Sequence, residues 1–124
     1  MSLAGYFEAK EGIGILATSD SNGNVNQAIY SRPYVIDENK IGFSMLEKSS
    51  FANLQSNPKA AYMFIEKAQG YNGKRLHLKM IGEETDQRKI QEIKSQRTKK
   101  HESVTNSARH FVYFEIEKFR QLVE

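Results

Sequence analysis

The 124-residue chain contains no cysteine and no tryptophan. Without thiols it has no disulfide framework, zinc–thiolate site, iron–sulfur cluster or cysteine nucleophile. Long apolar runs are also missing: the stretch around residues 13–17 is far short of the roughly 20 residues a membrane-spanning helix needs. The first eight residues show neither a basic region nor an apolar segment, so no secretory signal is visible and a cytoplasmic protein is expected. No internal repeat or low-complexity tract interrupts the chain. Apolar residues make up 39% and charged residues 27%, enough for a modest core and against wholesale disorder. At this length one domain over residues 1–124 is expected, with a formal net charge of +3 and a mean hydropathy of −0.63.

What is present is mostly alternation. Ile13, Ile15 and Ala17 share one face of an extended segment that Asp20-Ser21-Asn22-Gly23 turns back. Residues 25–32 alternate next, Pro33 interrupts, and Tyr34-Val35-Ile36 resumes the path. Ile41, Phe43 and Met45 align on a third strand, so the three segments are expected to form an antiparallel meander. The period changes at Lys48-Ser49-Ser50, where Phe51 and Leu54 stand three apart and Asn57-Pro58 stops a short serine-capped helix. Residues 60–65 are apolar on both faces, and residues 75–83 set Leu76, Leu78 and Met80 against His77, Lys79 and Ile81. Residues 86–101 carry Ile90 and Ile93 as a narrow stripe on a basic helix, and residues 110–116 form a second strand apolar on both faces.

This pattern predicts a mainly β protein: a six-stranded antiparallel Greek-key barrel, with a short helix between strands three and four and another between strands five and six. Two doubly apolar strands exceed what one small barrel interior absorbs, so a homodimer that buries the surplus face is expected.

Two segments carry candidate chemistry. At Lys48-Ser49-Ser50 a basic side chain and two hydroxyls stand at a helix start, where free backbone N–H groups and the positive end of the helix dipole suit a phosphate. The same residues also fit a plain capped helix with a solvated lysine. The strand Gln27-Ala28-Ile29-Tyr30 offers backbone groups to the hydrogen-bonding edge of a planar ligand, and Tyr30 a ring to pack on it; a half-exposed strand is the alternative.

Those segments, in this order, resemble the FMN-binding split-barrel family, which includes pyridoxamine 5′-phosphate oxidase and very small bacterial FMN-binding proteins. The resemblance covers nearly the whole chain: the Glu11-Gly12-x-Gly14-x-Leu16-Ala17-Thr18 opening, the turn at 20–23, the strand from Gln27 to Tyr30, and the run from Lys48 through Asn53-Leu54 and Asn57-Pro58 to Ala61. It implies a dimeric split barrel with one FMN per subunit at the dimer interface. Lys48, Ser49 and Ser50 are implied to meet the FMN phosphate, and Gln27, Ala28, Ile29 and Tyr30 to run beside the isoalloxazine and ribityl chain. Ser44 and Met45 are implied as cofactor contacts at the end of the third strand, with Asn53 supporting them from the helix. Where the oxidases tend to have two adjacent basic residues this chain has Ser49-Ser50, a deficit that Arg32 is a candidate to offset. The oxidases also carry a longer C-terminal segment with substrate-binding Arg and His residues, so pyridoxamine phosphate oxidation is not the expected activity. What is implied is an FMN-dependent oxidoreductase passing electrons or hydride to an unidentified small molecule or redox protein.

The remaining signals are weaker. His77, His101 and His110 share no metal-ligand spacing, and each is expected to be an ordinary surface or strand histidine. No Ser/His/Asp set has a nucleophile elbow. Alternatives from other classes are a basic Greek-key module for single-stranded nucleic acid and a split barrel holding haem or another cofactor. The first needs exposed aromatics, whereas Tyr62, Phe64, Phe111, Tyr113 and Phe114 fall on the doubly apolar strands and are expected to be buried.

Overall fold

A computed structural model of the chain describes residues 2–96 and 110–124. The described elements are helix α1 (Leu3–Ala9), strands β1 (Gly12–Ser19), β2 (Val25–Tyr30), β3 (Tyr34–Asp37) and β4 (Lys40–Met45), helix α2 (Ser49–Ser56), strands β5 (Lys59–Glu66) and β6 (Gly73–Glu84), helix α3 (Gln87–Ser95) and strand β7 (His110–Gln121). The seven strands form one antiparallel sheet in the order β2-β1-β5-β6-β7-β4-β3. The mainly β class holds, with one strand more than expected.

The difference lies at Pro33. The second extended segment does not continue into a meander: it breaks into β2 and β3, which occupy opposite ends of the sheet order. Proline has no N–H to donate, so the ladder stops there. Only residues 31–33 link the two edge strands, a span of about 10 Å at full stretch, so the sheet must curl until its edges approach. Aromatic contacts across the interior agree: Phe43 of β4 packs on Tyr30 of β2 at 5.7 Å, Tyr62 of β5 at 5.1 Å and Phe114 of β7 at 5.8 Å. This is a split barrel whose core holds Leu16, Ile41, Phe43, Met45, Tyr62, Phe64, Leu76, Leu78, Val112 and Phe114.

The tight approach of β1 to its neighbours explains Gly14, where an added Cβ would lie 2.0 Å from the Tyr62 hydroxyl and 2.5 Å from the Tyr30 carbonyl oxygen. Gly23, at φ +84°, closes the turn in which the Asp20 carboxylate accepts from the Asn22 and Asn24 backbone N–H groups.

Helix α1 was not foreseen. It plugs the barrel with Leu3, Tyr6 and Phe7, a pattern too short to stand out by periodicity. Arg32, the residue considered for offsetting phosphate charge, is used here instead: its guanidinium donates to the carbonyls of Phe7 and Lys10 at the end of α1. Helix α3 ends at Ser95, and the expected continuation over 97–101, with His101, lies outside the described residues. The last strand extends to Gln121, past the doubly apolar part. Among the described residues, no helix is long and apolar enough to cross a membrane.

The two doubly apolar strands differ. In β7, Val112, Phe114 and Ile116 enter the barrel, while Phe111 and Tyr113 on the other face are covered by Ile90 and Ile93 of α3 and by Tyr34 and Ile36 of β3. The second face of β7 is therefore buried within the chain, which corrects the expectation that both surplus faces need a partner. In β5, Tyr62 and Phe64 point inward, and Ala61, Met63 and Ile65 face out. The alternating set of β1 is turned the same way: Gly14, Leu16 and Thr18 are buried, and Ile13, Ile15 and Ala17 lie on the outside. The registers Ile29–Ile15–Met63 and Ile13–Ile65 make these one apolar outer patch.

Candidate functional site

Helix α2 packs against the β2-β1 end of the barrel, and its anchors are polar. Ser50 is 5% exposed; its Oγ accepts from Asn26 Nδ2 at 3.2 Å and hydrogen-bonds the Tyr30 hydroxyl, both on the inward face of β2. Burial raises the Tyr30 hydroxyl above its ordinary pKa, and the bond with Ser50 partly offsets this. One turn on, Asn53 Nδ2 donates to the buried Thr18 Oγ1 of β1 at 3.0 Å. Leu54 adds the apolar contact.

The start of the same helix is open. The expected serine cap is absent: Lys48 is the N-cap, makes no side-chain capping bond, and Ser49 and Ser50 are the first helical residues. Lysine has no acceptor with which to cap. The other two described helices are capped, α1 by Ser2 accepting from the Gly5 N–H and α3 by Asp86 accepting from the Arg88 N–H. Lys48 and Ser49 are exposed, and no acidic residue lies in the first turn. A cation, a hydroxyl and a helix N-terminus left uncapped by any side chain form a donor set suited to an anion.

The ten residues singled out from sequence fall into four groups. Lys48 and Ser49 present themselves at the open end of α2, beside Ser50. Gln27 and Ile29 are exposed on the outer face of β2, with Ile29 64% exposed. Ala28, Tyr30, Ser50 and Asn53 face inward at the α2–β2–β1 junction, where Ser50 and Asn53 are engaged in the anchoring bonds just described. Ser44 is half-buried in the β4–β7 ladder opposite Phe111, and Met45 is fully enclosed in the core. The Met45 side chain is thus a core element, and a ligand contact through it is not available in this geometry. The apolar period of β4, with Ile41 and Phe43 also at 0–1% exposure, is what consumes it.

Two features escaped the sequence reading. Asn26 and Thr18 tether α2; the visible signal was a polar residue on each inward strand face. The second is His110, taken as ordinary. Its ring stacks on Phe51 of α2 at 3.8 Å and 11°, its Nδ1 lies 2.8 Å from Glu83 Oε2, and its Nε2 lies 3.4 Å from Glu47 Oε1. The hydrogen bond and charge of Glu83, with a smaller contribution from Glu47, hold its pKa above the usual histidine range. No sequence spacing connects positions 47, 51, 83 and 110; strand pairing does.

Among the described residues, no group of three or more His, Cys, Asp or Glu is arranged to hold a metal ion. A cavity of about 110 Å³ near α1 is lined by Phe7, Arg32, Val35 and Ile93 among others, and none of its lining residues belongs to α2.

No protein-family model matches the chain, and no curated protein matches it. Solved structures do. An FMN-binding protein from Syntrophomonas wolfei subsp. wolfei superposes with a TM-score of 0.80 at 19% identity, covering 98% of this chain and 84% of that one. An F420 reductase superposes at 0.64 with 15% identity, covering 97% and 98%. A protein from Clostridium acetobutylicum related to general stress protein 26 of Bacillus subtilis, of the pyridoxinephosphate oxidase family, superposes at 0.63 with 15% identity, covering 90% and 79%. The split-barrel fold implied by the sequence resemblance is the fold observed.

Proposed function

We propose that the chain is a small flavoprotein that holds FMN, with the phosphate received at the open start of α2 by Lys48 and Ser49 and the ring system lying along β2. The observation that carries this reading is the uncapped, cationic start of α2, held rigidly by Ser50 and Asn53, in a fold shared with an FMN-binding protein. The donor set fits a phosphate monoester: a point charge, a hydroxyl and helix N–H groups, with no carboxylate in the first turn. When bound, the isoalloxazine supplies electron or hydride transfer, and the protein supplies orientation and a water-poor face. That division of labour asks for no acid, base or nucleophile from the chain itself. The activity proposed is an oxidoreductase in the cytoplasm with a small-molecule or redox-protein partner.

A homodimer belongs to the same proposal. Its support is the outer patch in which Ile13 and Ile29 are exposed and Ile15, Met63 and Ile65 half-buried, and on which Gln27 and Ile29 of the proposed site lie. The nucleic-acid module has less support, because Tyr62, Phe64, Phe111, Tyr113 and Phe114 are all at most 9% exposed, which leaves Tyr71 and Phe119 as the exposed aromatics among the described residues.

The test is the visible spectrum of the purified protein, followed by titration of apoprotein with FMN and with riboflavin. Flavin absorption, and tighter binding of FMN than of riboflavin, is the expected result. A colourless protein that binds neither compound overturns the proposal, and preference for a deazaflavin would move it to the chemistry named for the F420 reductase.

A further inference from the structure

His110 ties β7 to three other elements, β4, β6 and α2. It opens β7, pairs in register with Met45 at the end of β4, stacks flat on Phe51 in the first turn of α2, and lies between Glu83 of β6 and Glu47 just before the α2 N-cap. Among the described residues these two carboxylates are the charged groups that face it; Met45 and Phe51 are neutral. The side chain is 18% exposed, against 30% for Glu83 and 67% for Glu47.

The two protonation states of the ring differ in what they can hold. With Nδ1 protonated, the ring donates to Glu83. The buried Nε2 atom has no hydrogen-bond partner in this geometry, and Glu47 Oε1 lies 3.4 Å from it. A neutral imidazole would turn a lone pair toward that carboxylate. An imidazolium gives each carboxylate one N–H and opposes the charge of both.

We propose that His110 is a proton-controlled positioning residue: as an imidazolium it draws Glu47 and Phe51 onto the sheet, fixing the segment that carries Lys48 and Ser49 and cancelling the carboxylate beside them. This rests on the reading of α2 as the phosphate site. Loss of the proton leaves Glu47 uncompensated next to Lys48, so anion affinity falls as pH rises through the titration of His110. The direction is diagnostic. A phosphate monoester gains charge as pH rises past about 6, which by itself would strengthen binding and is complete above neutrality.

Linkage makes the proposal testable from both sides, because an anion that favours the protonated ring must raise the ring's pKa by the same factor. The His110 ring protons are followed by NMR in the apoprotein against pH, with and without inorganic phosphate, in wild type, Glu83→Gln and Glu47→Gln. Dissociation constants for FMN and riboflavin are measured alongside at pH 7 and 9.5. Expected are a lower His110 pKa in each variant, a higher one with phosphate, and FMN affinity ~3- to 10-fold weaker at pH 9.5. His110→Gln and Glu47→Gln should both flatten that pH dependence. Glu47→Gln, altering an exposed side chain, keeps the test alive if His110→Gln fails to fold. FMN binding that depends on Lys48 but not on pH, or a His110 pKa indifferent to phosphate, overturns this inference alone. Equal affinity for FMN and riboflavin overturns the phosphate reading and this inference with it.

Discussion

Strands β5 and β7 both carry runs apolar on two faces, yet among the described residues only β7 has its second face covered by its own chain. The second face of β7 receives α3 and β3: Phe111 stacks near Tyr34 at 5.7 Å and Tyr113 at 5.5 Å, and Ile90 closes over them. Among the described residues the outer face of β5 receives nothing comparable, and with β1 and β2 it leaves Ile13 at 54% and Ile29 at 64% exposure. Double apolarity therefore signals a need for burial without saying which molecule supplies it. The narrow stripe of Ile90 and Ile93 on an otherwise basic helix is the feature that distinguishes the two cases, since it is the matching half of the β7 face.

The comparison breaks most sharply at Phe111. Phe111→Ala opens a cavity in a closed intramolecular cluster and should cost about 3 to 5 kcal/mol of stability, read by denaturant unfolding. Ile15→Lys, in the middle of the outer patch, is expected to behave oppositely. In a monomer the ammonium reaches water and the loss should stay near 1 kcal/mol; in the proposed dimer two unpaired charges are desolvated, at a cost of several kcal/mol each, and the dimer should dissociate. Sedimentation of wild type and variant decides it. A wild type that is monomeric at tens of micromolar, or an Ile15→Lys variant that remains dimeric, removes the outer face from the interface.

Much of the barrel was legible because hydrophobic pattern is a local signal: β1, β4 and β6 lie where alternation put them, and β5 and β7 where the runs apolar on both faces did. What local pattern cannot carry is partner choice. Residues 25–36 look like one interrupted strand, and only the sheet order places their halves at opposite edges. For the same reason Ile13, Ile15 and Ala17 are recognisable as one face but not as the outer one, since Gly14 and Thr18, weakly apolar by type, line the interior beside Leu16. At the site, Lys48 and Ser49 were readable from residue type and helix period. The roles of Ser50, Asn53 and His110 were not, because their partners Asn26, Thr18, Glu47 and Glu83 are brought to them by strand pairing and helix docking.

That division within α2 repeats the contrast on a smaller scale, one part of the segment held by its own chain and the other left open. Lys48→Ala removes a charge from the open part. It should weaken FMN binding by about 1.5 to 3 kcal/mol, roughly 10- to 150-fold, with little change in riboflavin affinity or in stability. Ser50→Ala acts on the held part and leaves Asn26 and Tyr30 without their shared partner, so its effect should appear first as lost stability of about 1 kcal/mol. An equal effect of the two on FMN affinity, with no loss of stability in either, would show that the segment is not divided in this way.

The smallest expected effect lies at the rim of the β7–α3 cluster, where Tyr113 donates to Glu84 at 2.7 Å, Lys40 sits over the Tyr113 ring at 4.4 Å, and Lys89 of α3 reaches Glu84 at 3.6 Å. Desolvation and the Glu84 bond push the Tyr113 hydroxyl up to about 12, and that same bond, with help from the Asp86 backbone and Lys89, holds Glu84 below its usual carboxylate range. The signs are opposite. A raised tyrosine contributes stability below its unfolded pKa near 10 that is lost as pH rises through about 12; a depressed glutamate contributes stability at neutral pH that is lost as pH falls through its folded value. Tyr113→Phe should therefore cost about 1 kcal/mol at pH 7, and the difference from wild type should shrink as falling pH protonates Glu84. A difference that stays constant across that range would mean the hydroxyl is held by packing against α3 alone, and the intramolecular cover of β7 would then owe nothing to its polar rim.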